Sequence, residues 1–243
     1  MGYLRPIHFT KLAKYTRFAL THCRVHGFGA SAAVLCRELL FDLRHGVDTT
    51  TPQDLDLLDV PESARKEAVQ YQGADPKLVL ELFDLLSPER KNATFVDYGC
   101  GKGRVLVLAA QHGFKKLIGV EFSPELSLIC DRNLSRASGL LANTQISINT
   151  IDAALFIPPH GPVLAFFYNP FSGATLAAVV QQLRSKALQS ADPVTIVYVN
   201  PCNIEVFSDH GFRVTHRLQN RGHTTGVVAD FPGTKLNSRH AGQ

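Results

Sequence analysis

The most constraining feature of this sequence is a glycine-rich turn between two apolar segments. Residues 94–98 form a β-prone run that carries one acid, Asp97, and glycines follow at the alternate positions 99, 101 and 103. The run 105–110 comes next and contains good helix formers. Together these segments predict a strand, a tight turn and a helix N-terminus, the start of a βαβ unit. Glycine suits such a turn because it adopts positive φ freely and lets a ligand approach the backbone.

The spacing of the glycines separates two ligand classes. A dinucleotide site prefers G-x-G-x-x-G, which would place the third glycine at position 104, where this chain has Arg104. The turn instead reads G-x-G-x-G, with Asp97 two positions before Gly99. A carboxylate there favours a ligand with a cationic amine, whereas it would repel a pyrophosphate. A nicotinamide-dependent oxidoreductase built on the same kind of sheet is the alternative hypothesis.

This turn resembles motif I of the class I S-adenosylmethionine (SAM) dependent methyltransferases. The phrases VDYGCGKGRV and IGVEFSPEL also resemble a bacterial-type group of that family, and they are similar to the core of the Dot1-like lysine methyltransferases as well. The resemblance covers roughly residues 75–231. It implies that SAM is the cofactor and that Asp97 and the turn hold its amino acid moiety. The turn residues to which it gives this role are Tyr98, Gly99, Cys100, Gly101 and Gly103.

A second acid has the spacing of a ribose-binding carboxylate. Glu121 ends the apolar run 116–121 and lies 22 positions after Gly99. An acid about 20 residues after the first glycine, at the tip of the second strand, commonly binds ribose hydroxyls. The resemblance assigns this role to Glu121 and places Phe122 beside the adenine.

Two further positions complete the implied cofactor site. In the resembled family, an acid at the end of the third strand accepts a hydrogen bond from the exocyclic amine of adenine. Here Asp152 and Ala153 follow the alternating run 146–151. Capping of the next turn is another role for Asp152, and the two are compatible. Tyr71 precedes the first core helix, where it either covers the pocket at the methionine end or is a buried loop aromatic.

The candidate acceptor site is Asn169-Pro170-Phe171, which follows the continuous apolar run 163–168. It resembles a shortened (D/N)-P-P-(Y/F/W) motif of amine-methylating class I enzymes. There the Asn or Asp side chain and the prolyl carbonyl accept hydrogen bonds from the substrate nitrogen, and the aromatic ring stacks on its planar group. We therefore predict these three residues to be catalytic, with Asn169 also touching the cofactor. One proline of the motif is missing, and a simple strand-end turn is the alternative.

The order of the elements indicates an α/β fold. Helical and strand patterns alternate from Asp75-Pro76 onwards, and two final strands, 212–218 and 224–231, are joined by a hairpin signal at 220–223. The resemblance implies a three-layer, Rossmann-like methyltransferase sheet that is mostly parallel and ends in an antiparallel hairpin. An N-terminal helical extension precedes it.

The chain of 243 residues is long enough for one domain and an extension. We predict an extension with a connecting segment at 1–74, a SAM-binding domain at 75–231 and a disordered tail at 232–243. The five cysteines are scattered and never in C-x-x-C spacing, which argues against a disulfide framework or a zinc site. This usage suggests a reducing compartment, with the cytoplasm as the default. The longest apolar runs are too short to predict a membrane span.

The sequence leaves the partner open. Residues 1–45 contain seven Lys or Arg and two acids, which fits either a basic patch for nucleic acid or lipid or a solvated helical face. A DNA-recognition signature does not accompany them. The leading hypothesis is a methyltransferase that moves a methyl group in line from SAM to a nucleophilic acceptor, with nitrogen favoured. The acceptor could belong to a small molecule, a protein or an RNA. A catalytically silent SAM-binding module is the third hypothesis.

Overall fold

Seven strands form a single sheet in the computed structural model, which describes residues 28–51, 73–190, 192–220 and 222–232. The strands are β1 (Thr94–Tyr98), β2 (Lys116–Glu121), β3 (Gln145–Thr150), β4 (Val163–Phe167), β5 (Val194–Val199), β6 (Arg213–Asn220) and β7 (His223–Asp230). Their order is β3-β2-β1-β4-β5-β7-β6. β1 to β5 pair in parallel, and β7 runs antiparallel to both β5 and β6. The predicted mostly parallel sheet with a terminal hairpin is confirmed.

Helices cover both faces of the sheet. They are α1 (Phe28–His45), α2 (Pro76–Asp84), α3 (Arg104–Gln111), α4 (Pro124–Arg136), α5 (Gly173–Ser190) and α6 (Ile204–Asp209). Local capping explains where two of them begin. Asp75 accepts a hydrogen bond from the Lys77 amide at the start of α2, and Ser123 accepts one from the Leu126 amide at the start of α4. In both cases proline occupies the first helical position, where its missing N–H costs nothing.

Two hydrophobic cores lie on opposite faces of the sheet, because successive side chains of a strand point to opposite sides. In β1, Phe95 belongs to the first core and Val96 to the second. The first core lies under α2 and α3, where Phe83 packs edge-on against Phe95 with ring centroids 5.6 Å apart. The second core lies under α5 and α6. This is the three-layer arrangement that the sequence predicted.

The sheet has its topological switch point at β1. The chain winds outwards from β1 through β2 to β3, and then returns to the other side of β1 with β4. The connections therefore diverge above the carboxyl ends of β1 and β4, and such a crevice is where open α/β sheets bind ligands. The predicted site residues that follow β1, β2, β3 and β4 all lie at this edge of the sheet.

Some expectations fall outside the described residues. Tyr71 and positions 233–243 belong to this group, so the role of Tyr71 and the disordered tail stay predictions. The domain limits at 74 and 231 also stay predictions. Within the described part of the chain, every helix is too short or too polar to cross a membrane.

Substitution of Gly226 tests how tightly α2 packs on the sheet. A Cβ at this position of β7 would lie 2.6 and 2.8 Å from the two methyl carbons of the fully buried Leu82. We expect Gly226→Ala to lower the free energy of unfolding by about 1–3 kcal/mol, the usual cost of overpacking a core. Urea denaturation measures it. Gly139→Ala is the control, because a Cβ there meets no atom within 4 Å; equal destabilisation by both variants would contradict the packing explanation.

Candidate functional site

The turn after β1 has the backbone conformation that its glycines permit. Gly99, Gly101 and Gly103 have φ values of 78°, 52° and 85°. The turn is tied to β2, since the amides of Gly99 and Cys100 both donate to the carbonyl oxygen of Val120, at 2.8 and 3.0 Å. Gly103 then occupies the N-cap position of α3. The predicted strand, glycine turn and helix N-terminus are all present.

Asp97 and Glu121 meet beneath this turn. One Glu121 carboxylate oxygen accepts a hydrogen bond from the Gly101 amide at 2.9 Å, and the other accepts one from the Ser123 amide at 3.0 Å. Asp97 is only 3% exposed, and its Oδ2 atom has no hydrogen-bond partner among the described residues. The structure therefore brings the two predicted acids together, one satisfied by backbone amides and the other open to a donor.

Burial shifts the pKa of both carboxyl groups upwards. Desolvation, with a smaller contribution from the charge of Glu121, raises the pKa of Asp97 to about 8. Desolvation also raises the pKa of Glu121 to about 7, although the amides of Ser123, Gly101 and Phe122 oppose the shift. A cationic group close to a buried carboxyl favours its charged form and lowers its pKa again. Asp97 thus fits the cationic amine of an amino acid moiety.

Two of the turn's side chains face the cores. The Tyr98 ring stacks on Phe167 with centroids 5.0 Å apart. The Cys100 sulfur fills the space beside Gly119, 2.7 Å from where a Cβ would lie, and its hydrogen bond with Cys130, together with burial, raises the pKa of the Cys100 thiol. Tyr98 and Cys100 can therefore serve a ligand through their backbone.

At the implied adenine end of the site, Asp152 and Phe122 are more exposed to solvent than the buried acids Asp97 and Glu121. Asp152 is exposed, and its side chain accepts a hydrogen bond from the Ala154 amide at 2.9 Å. The capping role of Asp152 is thus observed, whereas its contact with adenine stays a prediction. Ala153 is buried, and Phe122 is half-buried beside Glu121.

Asn169 is held by a network that the sequence did not reveal. Its φ is 44°, a left-handed value that asparagine tolerates better than most residues. The side-chain Nδ2 donates to the carbonyl oxygen of Asn200 at 2.6 Å, and Oδ1 accepts from the Tyr198 hydroxyl at 2.6 Å and from the Cys202 amide at 3.4 Å. Asn200 has a similar φ of 46°. Hydrogen bonds of the Asn169 side chain therefore join the turn at Asn169-Pro170 to a second turn at Asn200-Pro201.

The Asn169 turn also contacts the glycine turn. A Cβ on Gly99 would lie 2.2 Å from the Cβ of Pro170, so only glycine fits opposite this proline. The Phe171 ring is buried and packs edge-on against Phe167, with centroids 6.4 Å apart. Pro170 thus borders the crevice, and the ring of Phe171 packs in the core beneath it.

Sequence reasoning missed three buried charged residues around the turn. These are Glu38 of α1, Lys102 of the turn and Arg104 at the start of α3. Arg104 pairs with Glu38 at 3.2 Å. In the sequence, Arg104 stands out as a missing third glycine, but its place between the glycines and an apolar helix is the signal that could have identified it. Among the described residues, no group of His, Cys, Asp or Glu could hold a metal ion.

Comparison with known proteins agrees with this geometry. Residues 69–200 match the profile of a family described as "Methyltransferase domain", a match that spans more than half of the chain and includes the turn, both acids and the Asn169 turn. No curated protein matches the chain.

Solved structures of similar shape include two named methyltransferases. A ribosomal protein L11 methylase from Lactobacillus delbrueckii subsp. bulgaricus is 17% identical over 65% of this chain and 79% of its own, with a TM-score of 0.48. A magnesium protoporphyrin IX methyltransferase from Synechocystis with bound SAM is 15% identical over 64% of this chain and 77% of its own, with a TM-score of 0.47. At such low similarity, neither bears on the substrate of this chain.

The pKa of Asp97 predicts a pH-dependent stability. Because the pKa rises from 3.8 to about 8 on folding, the folded chain keeps a proton that the unfolded chain has released between these values. Stability should therefore fall as pH rises through this window, by up to about 1.4 kcal/mol per pH unit for this one proton. Asp97→Asn lacks the proton and should show a shallower decline.

Chemical denaturation of the ligand-free protein between pH 5 and about 8.5 measures this difference. Glu121 titrates in both proteins, so its own contribution largely cancels in the comparison. Parallel stability profiles for the wild type and Asp97→Asn would show that Asp97 does not titrate in this range.

Proposed function

The chain belongs to the methyltransferase domain family, whose cofactor is S-adenosylmethionine, and from this premise we propose how its crevice is used. Asp97 and the backbone of residues 98–103 hold the methionine end of the cofactor. Glu121 and Phe122 lie on the ribose and adenine side, followed by Asp152 and Ala153. The observation that carries this assignment is the Oδ2 atom of buried Asp97, which has no hydrogen-bond partner among the described residues and lies next to a turn of three positive-φ glycines.

When bound, SAM supplies a methyl group on a cationic sulfur that is already a good leaving group. The residues of this chain therefore need to orient an acceptor lone pair in line with that methyl and to exclude water. A dedicated general base is not required for an acceptor that arrives as a neutral amine. This fits the described part of the crevice, where the acids that we assign to it, Asp97, Glu121 and Asp152, all lie on the cofactor side.

We place the acceptor at the Asn169-Pro170 turn. Pro170 touches Gly99, so this turn lies next to the methionine end of the cofactor site. Because Oδ1 of Asn169 already accepts from Tyr198 and Cys202, the side chain serves mainly to hold the turn in its left-handed conformation. Resemblance to the amine-methylating motif favours a nitrogen acceptor. The oxidoreductase hypothesis is set aside, because the chain belongs to the methyltransferase family.

Two measurements test the proposal as a whole. Binding of S-adenosylhomocysteine and NAD(H) is compared by thermal shift, and transfer of a labelled methyl group from SAM is followed into size-separated RNA, protein and metabolite pools. We expect binding of S-adenosylhomocysteine alone and labelling of one pool. Binding without labelling of any pool would favour the silent module, and a shift with NAD(H) alone would refute the cofactor assignment.

Asp97→Asn should weaken cofactor binding. The variant keeps the shape of the side chain but removes the charge that pairs with the ammonium group, and a charge-assisted hydrogen bond contributes about 1.5–3 kcal/mol. We therefore expect the Kd of S-adenosylhomocysteine to rise about 10- to 150-fold, measured by calorimetry at pH 8. Asp209→Asn, a change on the exposed end of α6, is the control. An unchanged Kd for Asp97→Asn would remove Asp97 from the site.

Asn169→Ala should reduce turnover while leaving cofactor binding largely intact. Alanine tolerates the left-handed φ poorly and loses the links to Tyr198 and Asn200, so the acceptor side of the crevice loses its shape. We expect a fall in kcat of about 100-fold or more, since a small misplacement of reacting groups is costly. Asn169→Gly, which keeps the backbone conformation, should recover part of this loss. Unchanged labelling by Asn169→Ala would refute the acceptor-site assignment.

A further inference from the structure

We propose that Arg104 and Lys102 are positioning residues through which the N-terminal extension sets the conformation of the cofactor turn. The extension is then part of the cofactor site, although it carries none of the predicted cofactor contacts among the described residues. The inference rests on the proposed function, because it concerns the affinity of the same turn for SAM. We call Arg104 and Lys102, with their partners from positions 38–51 and 73–74, the turn clamp.

The burial of these two cations needs an explanation. The side chain of Arg104 is 2% exposed and that of Lys102 is 0% exposed. Both lie at the N-terminal end of α3, where the helix dipole disfavours positive charge. The two cations therefore do not stabilise the start of α3, and helix formation does not explain why they are there. A buried ion pair is also a weak source of net stability compared with apolar packing, so a positioning role is the better reason for their presence.

Arg104 binds three parts of the chain at once. Its Nη1 atom lies 3.2 Å from Oε1 of Glu38 on α1 and donates to the carbonyl oxygen of Ala74 at 3.0 Å. Its Nε and Nη2 atoms donate to the hydroxyl groups of Thr49 and Thr50, each at 2.8 Å. The rigid planar fork of arginine suits such a set of directions, which a lysine could not satisfy together.

The space for this fork is provided by Gly73. A Cβ on Gly73 would lie 2.4 Å from Nη1 of Arg104, so the guanidinium group occupies the volume that any other residue would fill. The guanidinium group of Arg104 thus packs directly against the backbone of Gly73, at the end of the connecting segment.

Lys102 and Asn133 add a second set of links. Nζ of Lys102 donates to the carbonyl oxygen of Thr51 at 2.6 Å. Asn133 of α4 is buried, and its Nδ2 donates to the carbonyl oxygens of Lys102, at 2.9 Å, and of Asp48, at 3.1 Å. Its Oδ1 accepts from the Asp48 amide at 3.0 Å. The segment 48–51 is therefore fixed to both cations of the turn.

The two residues that make these contacts alternate with the glycines of the turn. Lys102 lies between Gly101 and Gly103, and Arg104 follows Gly103 directly. Glycines have many accessible conformations, and ordering them on binding would cost affinity. Fixing the residues between and after them selects the binding-competent conformation in advance. The apparent Kd rises in proportion as that conformation becomes less populated, so loosening the clamp should weaken cofactor binding.

A neighbouring ion pair provides a matched control. Arg37 precedes Glu38 on α1, and its Nε donates to Oδ1 of Asp75, the N-cap of α2, at 3.0 Å. This pair also fastens α1 to the rest of the molecule, but it does not touch the turn. Loss of either pair weakens the attachment of the extension. Only loss of the Glu38 pair removes a partner of Arg104.

The experiment compares Glu38→Gln with Arg37→Gln in the full chain. The Kd of S-adenosylhomocysteine is measured by calorimetry at a temperature where circular dichroism shows both variants folded. We expect Glu38→Gln to raise Kd on the order of 5- to 150-fold, the usual range of coupling between sites, and Arg37→Gln to leave it within about twofold of wild type. Equal effects of the two variants would overturn the inference.

Hydrogen exchange of the ligand-free proteins gives a second readout, independent of activity and of cofactor binding. Amides 99–103 should exchange faster in Glu38→Gln than in Arg37→Gln, because the turn has lost its clamp. If Glu38→Gln does not fold, the wild-type protein alone is used. By linkage, S-adenosylhomocysteine should then slow hydrogen exchange at amides 48–51 as well as at the turn. Slower exchange at the turn alone would overturn the inference. A wild type that binds no S-adenosylhomocysteine would refute the proposed function itself, whereas the exchange rates without ligand still report on the clamp.

Discussion

Positive backbone φ at three alternate positions is the constraint on which the site depends. Gly99, Gly101 and Gly103 reverse the chain between β1 and α3, and the reversal brings the turn's amides onto β2 and onto the Glu121 carboxylate. Any residue with a Cβ would meet strain at these positions, and at position 99 it would also collide with Pro170. The proposed cofactor side and the proposed acceptor side of the crevice meet at this one turn.

The buried charged groups around the turn differ in how fully they are paired with hydrogen-bond partners. The cations Lys102 and Arg104 are surrounded by acceptors from the extension and from Ala74. The Glu121 carboxylate has backbone donors, but Asp97 Oδ2 lacks one among the described residues. An unsatisfied buried acceptor destabilises a fold. Its presence at the switch point of the sheet is what we expect of a group that a ligand completes.

Much of this arrangement was predictable from local patterns. The strands, the glycine turn and the terminal hairpin follow from apolar periodicity and turn residues, and both acids lie at the expected strand ends. The long-range contacts were not predictable, because Arg104 finds its partners 30 to 66 positions earlier in the chain, at Ala74 and Glu38. Similarly, the Asn169 side chain is engaged by Tyr198, from the neighbouring strand. A single sequence records which side chains can bond, but not which of them meet.

The clamp changes where the molecule can be divided. Residues 75–231 look like a self-contained unit by sequence, yet a fragment that starts at Asp75 would lack Glu38, Thr49 and the Ala74 carbonyl. The side chains of Lys102 and Arg104, which are buried in the full chain, would then be exposed to water or lie unpaired beneath the crevice. The smallest piece suited to recombinant expression and crystallisation therefore includes α1. Grafting this turn onto another scaffold would also require the hydroxyl groups of Thr49 and Thr50 and the carboxylate of Glu38.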